Sequence, residues 1–298
     1  MSSNYIVTAR LKEIKQNGLY MIDASNVVKM VYGEVSVIIP CYRCVDSIRR
    51  ALTSVYEQTL RPFEVLLIDD YSGDGTLEFL YQLRAEFPDD WIKVIALPYN
   101  MGPASARNAG WESATQPFVA FLDSDDSWHP QKTEIQLAWM KNNPDVSITG
   151  QDCIAIIDES NDVKRPVDDM SFHEVSGNQL LASNRFSTSS VMVASSLTIR
   201  FFSGKRYCED YLLWCHAKFA GYKCYRYCAP LAYSYKPRYG ASGLSGNLWR
   251  MERGELFVYS FLFEQKMIGL GTYVTFGLWS IIRFVRRTLK VTLGMNNL

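Results

Sequence analysis

The 298-residue chain carries 31 basic and 31 acidic side chains, and a formal net charge of zero argues against a general nucleic-acid binder. Nearly half of it is hydrophobic and 13% is aromatic, which supplies a sizeable core for one large or two small domains. Seven cysteines, an odd number scattered through the chain and mostly in apolar or aromatic surroundings, suggest reduced thiols in a cytosolic compartment. Cys41 and Cys44, and Cys224 and Cys228, have the spacing of half a zinc site, but no nearby His supports either pair. The N-terminus lacks a basic stretch followed by an apolar run and a small-residue cleavage site, so no signal peptide is expected.

Residues 1–33 are weakly patterned; a short helix around Ala9–Gln16 and a strand around Leu19–Ile22 are predicted. Val35-Ser-Val-Ile-Ile39 is a β-branched run stopped by Pro40, the pattern of a buried parallel strand. An amphipathic helix follows from about Asp46 to Gln58, with Ile48, Ala51, Leu52 and Val55 on one face. Phe63–Ile68 is the next buried strand. It ends in Asp69-Asp70 and leads through a Gly-rich turn to a helix over Thr76–Glu86. A strand over Trp91–Leu97, a turn at Tyr99–Pro103 and a helix over Ala104–Ala114 come next. The strand Phe118–Leu122 then runs into Asp123-Ser-Asp-Asp126. Strand and helix alternate throughout this region, which predicts an α/β fold with a mostly parallel central sheet and flanking helices. In such sheets ligands bind beyond the carboxyl ends of the strands. Pro40-Cys-Tyr42, Asp69-Asp70 and Asp123-Ser-Asp125 all fall at those ends. Carboxylates as close as Asp123, Asp125 and Asp126 repel one another unless water or a cation separates them. Oxygen-only ligands suit Mg²⁺ or Mn²⁺, and Mg²⁺ often sits on one or two carboxylates and completes its shell with substrate phosphates. Taken alone, Asp-Ser-Asp-Asp reads better as a solvated acidic turn, and the rest of the chain decides against that reading.

Val35-Ser-Val-Ile-Ile-Pro-Cys-Tyr42, Leu67-Ile-Asp-Asp-Tyr-Ser-Gly-Asp-Gly-Thr76, Asn100-Met-Gly-Pro-Ala-Ser-Ala-Arg-Asn-Ala-Gly110 and Phe121-Leu-Asp-Ser-Asp-Asp126 stand in this order. Together they resemble the successive motifs of the family 2 glycosyltransferases of GT-A fold, in the type that builds bacterial polysaccharide. The resemblance runs from about Val35 to Met140 and more weakly to about Ser245. One departure is Arg43, where the family's Pro-x-Tyr-Asn has Asn. The resemblance implies that Pro40 and Tyr42 frame the base of a UDP-sugar donor, and that Asp70 accepts the uracil imide N–H while Asp69 braces its turn. It implies that Arg107 approaches the diphosphate. Asp125 would ligate Mn²⁺ or Mg²⁺, and Asp123 would reach the ribose or the metal. Asp126 is expected to cap the helix after Trp128-His-Pro130. Without the resemblance, Tyr42 reads as a packed aromatic, Asp70 as a turn carboxylate and Arg107 as a solvated helix residue.

Beyond that helix, which should end near Asn142, strands are predicted within Val146–Ile157, a polar loop over Asp158–Glu174, a short helix over Gly177–Ser183 and a strand at Ser190–Val193. Glu209-Asp210 opens a helix running to Ala220. By sequence Asp210 is a helix cap; by resemblance it belongs to the Glu-Asp pair that supplies the base of an inverting transfer. Strands are expected at Tyr222–Tyr227 and Leu231–Tyr235, then a basic Gly- and Ser-rich loop over Lys236–Ser245. His129, His173 and His216 have no metal-ligand spacing. The expected organisation is an extension over 1–33, a catalytic domain over 34–245 divided near 140 into nucleotide-sugar and acceptor halves, and a helical segment over 246–298.

Met267–Ile282 is apolar but shorter than the roughly twenty residues of a spanning helix. Arg283, Arg286, Arg287 and Lys290 follow at helical spacing, giving a basic amphipathic helix suited to an anionic membrane surface. The resulting expectation is a peripheral enzyme on the inner face of the cytoplasmic membrane. It would move a hexose or N-acetylhexosamine from a UDP-sugar to a lipid-linked or oligosaccharide acceptor. The rival readings are a sugar-1-phosphate nucleotidyltransferase, against which the absence of a Gly-rich basic loop after the first strand counts, and a nucleotide-sugar-binding protein without catalysis.

Overall fold

The β-branched run after Tyr32 becomes the strand around which the molecule is built. The computed structural model describes residues 20–22, 28–30, 32–151, 154–155, 171–229, 231–235 and 247–292. Strands β1 (Tyr20–Ile22) and β2 (Val28–Met30) pair as a small antiparallel ribbon. The chain then alternates through β3 (Gly33–Cys41), α1 (Ile48–Tyr56), β4 (Pro62–Asp69), α2 (Thr76–Arg84), β5 (Ile92–Ala96), α3 (Pro103–Ser113) and β6 (Phe118–Phe121). Each of these lies within two residues of its predicted ends. Next come β7 (Asp126–Trp128), α4 (Lys132–Asn142), β8 (Val146–Gly150), β9 (Ile154–Ala155), β10 (Phe172–Glu174), α5 (Gly177–Ala182), a 3₁₀ turn at Thr188–Ser190 and β11 (Met192–Ala194). The described chain ends with α6 (Glu209–Phe219), β12 (Lys223–Tyr227), β13 (Ala232–Ser234), α7 (Leu248–Glu264) and α8 (Leu270–Thr292).

The main sheet has the order β10-β12-β8-β11-β6-β3-β4-β5. β6, β3, β4 and β5 run parallel, while β11 is inserted antiparallel between β6 and β8. β4 and β5 are laid down on one side of β3, and β6 returns to the other. This reversal opens a crevice at the carboxyl ends of β3 and β6, where α/β sheets bind ligands. A three-stranded sheet, β7-β13-β9, lies beside it.

Alternation along β3 and β4 decides which helices cover which face. Ile38, Leu66 and Ile68 pack with α3, α6 and α7, whereas Val37, Ile39, Val65 and Leu67 pack with α1, α2 and α4. α3 lies close to the sheet because Gly110 has no side chain: a Cβ there would sit 2.5 Å from Ile38 Cγ2.

Two expectations change here. Phe172–Glu174, placed in a polar loop by composition, is an edge strand against β12. Asp126 does not cap α4; it opens β7, pairs in register with Ser234 of β13, and leaves Gln131 at the N-cap. The short acidic run conceals a strand because its pairing partner lies more than a hundred residues away. The predicted helix at Ala9–Gln16, most of the Asp158–Glu174 loop and the basic loop Lys236–Ser245 lie outside the described residues.

The C-terminal segment also differs from the sequence pattern. It is a hairpin of α7 and α8, turned at Lys266, whose φ is 57°. Arg287 Nη2 meets Glu252 Oε2 at 3.0 Å and Glu255 Oε2 at 3.5 Å, and Arg283 pairs with Glu255. Ser280 Oγ donates to Glu252 Oε1 at 2.8 Å. Glu252 and Glu255 are buried, so Arg283 and Arg287 face the protein and do not form the expected open basic face. The exposed stripe of α8 is apolar instead: Leu270, Val274, Leu278, Ile282, Val285 and Leu289 recur at three- and four-residue steps. No described helix is long and apolar enough to cross a membrane.

Candidate active site

The loop after β3 presents Tyr42, 47% exposed, beside Pro40. Arg43 stacks over the Tyr42 ring at 5.2 Å and adopts φ 51°, a left-handed backbone that Asn tolerates better than Arg. The Arg43 N–H donates to Ser72 Oγ at 3.1 Å, which ties this loop to the end of β4. Ser72 Oγ in turn donates to Asp69 Oδ1 at 2.5 Å, so Asp69 braces its own turn.

Asp70 is buried and gathers the loop after β5. Its Oδ1 accepts the Met101 N–H at 2.6 Å, and its Oδ2 accepts the Gly102 N–H at 2.8 Å and Asn100 Nδ2 at 3.0 Å. Burial raises its pKa, and the two backbone donors oppose that rise. Three donors leave about one of the roughly four lone-pair directions of a carboxylate. Gly102, at φ 83°, allows the turn into α3, and a Cβ there would stand 3.5 Å from Arg206 Cγ.

α3 carries Arg107 into the crevice. It is not a solvated residue: it is 4% exposed, with Nη2 on Asp123 Oδ1 at 2.7 Å and Nη1 on Glu209 Oε1 at 2.8 Å. Both terminal nitrogens are therefore engaged by carboxylates. One guanidinium fork joins the acidic turn after β6 to the start of α6.

The acidic turn is held from three sides. The Asp123 N–H donates to Ser189 Oγ at 3.1 Å, Ser189 Oγ donates to Asp126 Oδ2 at 2.5 Å, and Arg50 Nη2 donates to the Asp125 carbonyl at 2.7 Å. Arg50 also lies 3.6 Å over the Tyr235 ring. Burial first, then the charges of Asp123 and Asp125, push Asp126 up to about 7. The clustered carboxylates add to an effect that burial dominates. Asp125 and the second oxygen of Asp123 are the oxygen donors suited to a divalent cation; Asp126 is withdrawn toward Ser189. Among the described residues no group of three or more Asp, Glu, His or Cys side chains converges. One or two carboxylates, such as Asp125 with Asp123, are the kind of donor that suits Mg²⁺ or Mn²⁺ when a diphosphate completes the shell.

Asp210 stands in the first turn of α6, but the cap position belongs to Cys208, which has φ 54° and no side-chain capping bond. Asp210 Oδ2 instead accepts Asn184 Nδ2 at 3.1 Å and Thr188 Oγ1 at 3.2 Å. Burial raises its pKa, and the Tyr211 N–H and the Arg107 charge offset part of the rise. Burial likewise pushes the adjacent Glu209 up to about 7, against the pull of Arg107. Pro40, Tyr42, Asp70, Asp123 and Asp125 thus lie at the carboxyl ends of β3, β4 and β6, and Arg107 of α3 links Asp123 to Glu209, next to Asp210 at the start of α6. Sequence reasoning missed Ser189, Arg50, Asn184 and Thr188. None belongs to a local motif, and only the antiparallel insertion of β11 brings the Thr188–Ser190 turn under the acids.

The profile described as Glycosyl transferase family 2 matches residues 36–205, more than half of the chain. The chain belongs to glycosyl transferase family 2. Among its relatives, the putative teichuronic acid biosynthesis glycosyltransferase TuaG of Bacillus subtilis is 44% identical over 106 residues, which are 36% of this chain and 41% of TuaG. The UDP-Glc:alpha-D-GlcNAc-diphosphoundecaprenol beta-1,3-glucosyltransferase WfgD of Escherichia coli is 41% identical over 110 residues, 37% of this chain and 42% of WfgD. The chain thus spans about two fifths of the length of these relatives. The structure of S. aureus TarS 1–349 in complex with UDP-GlcNAc superposes with a TM-score of 0.60 at 21% identity, covering 76% of this chain and 65% of TarS 1–349. The mannosyltransferase PcManGT of Pyrobaculum calidifontis, in complex with GDP-Man and Mn2+, gives a TM-score of 0.56 at 16% identity, covering 87% of each chain. These neighbours share the GT-A architecture.

Proposed function

We propose that this protein is an inverting, metal-dependent glycosyltransferase. It moves a hexose or N-acetylhexosamine from a UDP-sugar to a lipid-linked or oligosaccharide acceptor in the synthesis of a cell-surface polysaccharide or lipopolysaccharide. The observation that carries this reading is the Arg107 bridge, which fixes Asp123 of the acidic turn against Glu209, one residue before Asp210. The name of WfgD, with its UDP-glucose donor and diphosphoundecaprenol acceptor, supports the choice of substrates.

Pro40 and Tyr42 frame the base, and the remaining lone-pair direction of Asp70 accepts the uracil imide N–H. Asp125, with Asp123, holds Mn²⁺ or Mg²⁺, which when bound offsets the charge that grows on the leaving diphosphate. Arg107 positions Asp123 and keeps the local charge balanced. Asp210 takes the proton of the acceptor hydroxyl as that oxygen bonds to the anomeric carbon. The bond from that carbon to the diphosphate oxygen breaks on the opposite face, and its electron pair leaves with UDP. A base whose pKa is raised by burial accepts a proton more readily than an ordinary aspartate.

The apolar stripe of α8 rests on the inner face of the cytoplasmic membrane. Three features favour a lipid surface over another protein: a helix about 34 Å long on helical geometry, an unbroken row of aliphatic residues along it, and exposed Arg286 at its edge.

The test is UDP release from a panel of UDP-sugars with Mn²⁺, with and without a membrane extract as acceptor source. Release that depends on the acceptor, and is abolished by a chelator and by Asp125→Ala, is expected. A nucleotidyltransferase releases no UDP. Full transfer by Asp125→Ala in excess chelator overturns the metal assignment.

A further inference from the structure

A cavity of about 340 Å³ lies between the loop that enters α6 and the first half of α7. Lys205 and Arg206 line it from the loop, and Arg250 and Arg253 line it from the helix, with Tyr207 and Phe257 completing its walls. Among the described residues no acidic side chain lines it. Gly254 brings α7 close enough to form it, since a Cβ there would stand 2.9 Å from the Tyr207 carbonyl oxygen.

Lys205 feels the nearby charges of Glu209 and Asp210, and Arg206 that of Asp70, but the direct contacts of these cations among the described residues are to neutral groups. Arg250 Nη1 donates to Tyr207 Oη at 3.3 Å, Lys205 Nζ reaches the Gly254 carbonyl at 3.5 Å and lies 4.2 Å over the Phe257 ring, and Arg206 donates to the Asn100 side-chain oxygen. Among the described residues none of the four forms an ion pair with a carboxylate. Burial already lowers the Lys205 pKa, so its charge gains from an anion. Guanidinium forks match the paired oxygens of phosphates.

The surroundings specify the rest of the ligand. The lining loop runs directly into Glu209 and Asp210. On the other side, exposed Trp249, next to Arg250 on α7, packs on Phe284 of α8 with ring centroids 5.8 Å apart, which brings α8 up to the residue beside the cavity. A cationic pocket beside an apolar helix suits an amphiphile with a phosphate head. We propose that this cavity holds the diphosphate of a lipid-linked saccharide acceptor, with its sugar at Asp210 and its lipid leaving over Trp249 toward α8. This rests on the transferase reading above, and it places the acceptor diphosphate apart from the donor diphosphate at Asp123 and Asp125.

The experiment is calorimetric binding of farnesyl diphosphate and of inorganic diphosphate to the full chain, with saturating UDP and buffered Mg²⁺. Wild type is compared with Arg250→Gln/Arg253→Gln and with Arg250→Lys/Arg253→Lys. Both arginines are exposed, and circular dichroism checks that the variants fold. Farnesyl diphosphate should bind wild type with UDP present and weaken at least tenfold in the Gln variant, with partial recovery in the Lys variant. UDP affinity should change less than twofold. Unchanged farnesyl diphosphate affinity in the Gln variant overturns the site. A tenfold loss of UDP affinity assigns the cavity to the donor and overturns the proposal. Equal affinity for inorganic and farnesyl diphosphate removes the lipid from it. Catalysis is not read in this assay, so a failure to turn over UDP-sugars registers separately.

Discussion

Removing the guanidinium of Arg107 should expose how the site is held together. Arg107→Met keeps a similar apolar stem and leaves two carboxylates without their shared cation. Glu209 is only 9% exposed at its side chain, so this half of the bridge is a buried pair, and breaking such a pair costs about 3–5 kcal/mol. The Asp123 side chain is 35% exposed, so solvent screens that half, which adds roughly 0–1 kcal/mol. Protonation of Glu209 limits the total, because burial already pushes it up to about 7 and loss of Arg107 raises it further. We therefore expect a loss of about 3 kcal/mol in urea unfolding at pH 8. A raised folded pKa gives stability that is present at low pH and lost as pH rises through that pKa. The deficit of the variant should accordingly shrink as pH falls from 8 toward 5, where Glu209 is protonated and needs no cation. Adding Glu209→Gln should recover part of the loss, with a coupling of roughly 1.5–3 kcal/mol in the double-mutant cycle. Effects additive to within about 0.5 kcal/mol, or a deficit that does not vary with pH, would refute the bridge as the element joining α3, α6 and the acidic turn.

Asp210→Asn should lower transfer by roughly a hundred- to ten-thousand-fold while UDP-sugar affinity, read by calorimetry, stays within about twofold. Because burial raises the Asp210 pKa and the base must be ionised, the wild-type rate should climb with pH through a midpoint above the ordinary aspartate range, and the variant should lose that limb. Leu278→Asp/Ile282→Asp should reduce sedimentation with anionic vesicles by more than about tenfold, since each buried aliphatic side chain contributes roughly 1.5–3 kcal/mol. Arg286→Gln should cost only about 1 kcal/mol, and Arg287→Gln should lower the melting temperature more than vesicle affinity, because its partner is the buried Glu252. Gly110→Ala should destabilise the fold by about 1–3 kcal/mol in urea unfolding, as its methyl group meets Ile38 across the α3–β3 contact.

Much of the stretch from β3 to α4 was legible before the structure. The β-branched run of β3, the apolar runs of β4 and β6, and the acids or proline that end them are local signals. Strand periodicity and turn chemistry act over a few residues, so the alternation of strand and helix from Val35 to Asn142 follows from them. The four spaced motifs also place Tyr42, Asp70, Asp123 and Asp125 at one sheet edge, since parallel strands in one sheet end on the same side. The helical spacing of Arg283, Arg286, Arg287 and Lys290 likewise establishes an amphipathic C-terminal helix.

Tertiary structure alone decided how these pieces are used. Arg107 and Glu209 are 102 positions apart, and no local pattern pairs them. Ser189 supports the acids only because β11 enters the sheet antiparallel beside β6. Asp126 becomes a strand residue because β13 supplies its backbone partners. The spacing along α8 shows that it has two unlike faces but not which one is covered. The buried carboxylates of Glu252 and Glu255 on α7 draw Arg283 and Arg287 inward, because a carboxylate removed from water needs a cation at contact distance. That requirement turns the aliphatic stripe outward. Periodicity is a property of neighbouring residues, whereas charge compensation and strand pairing are settled only by what the rest of the chain brings to the same place.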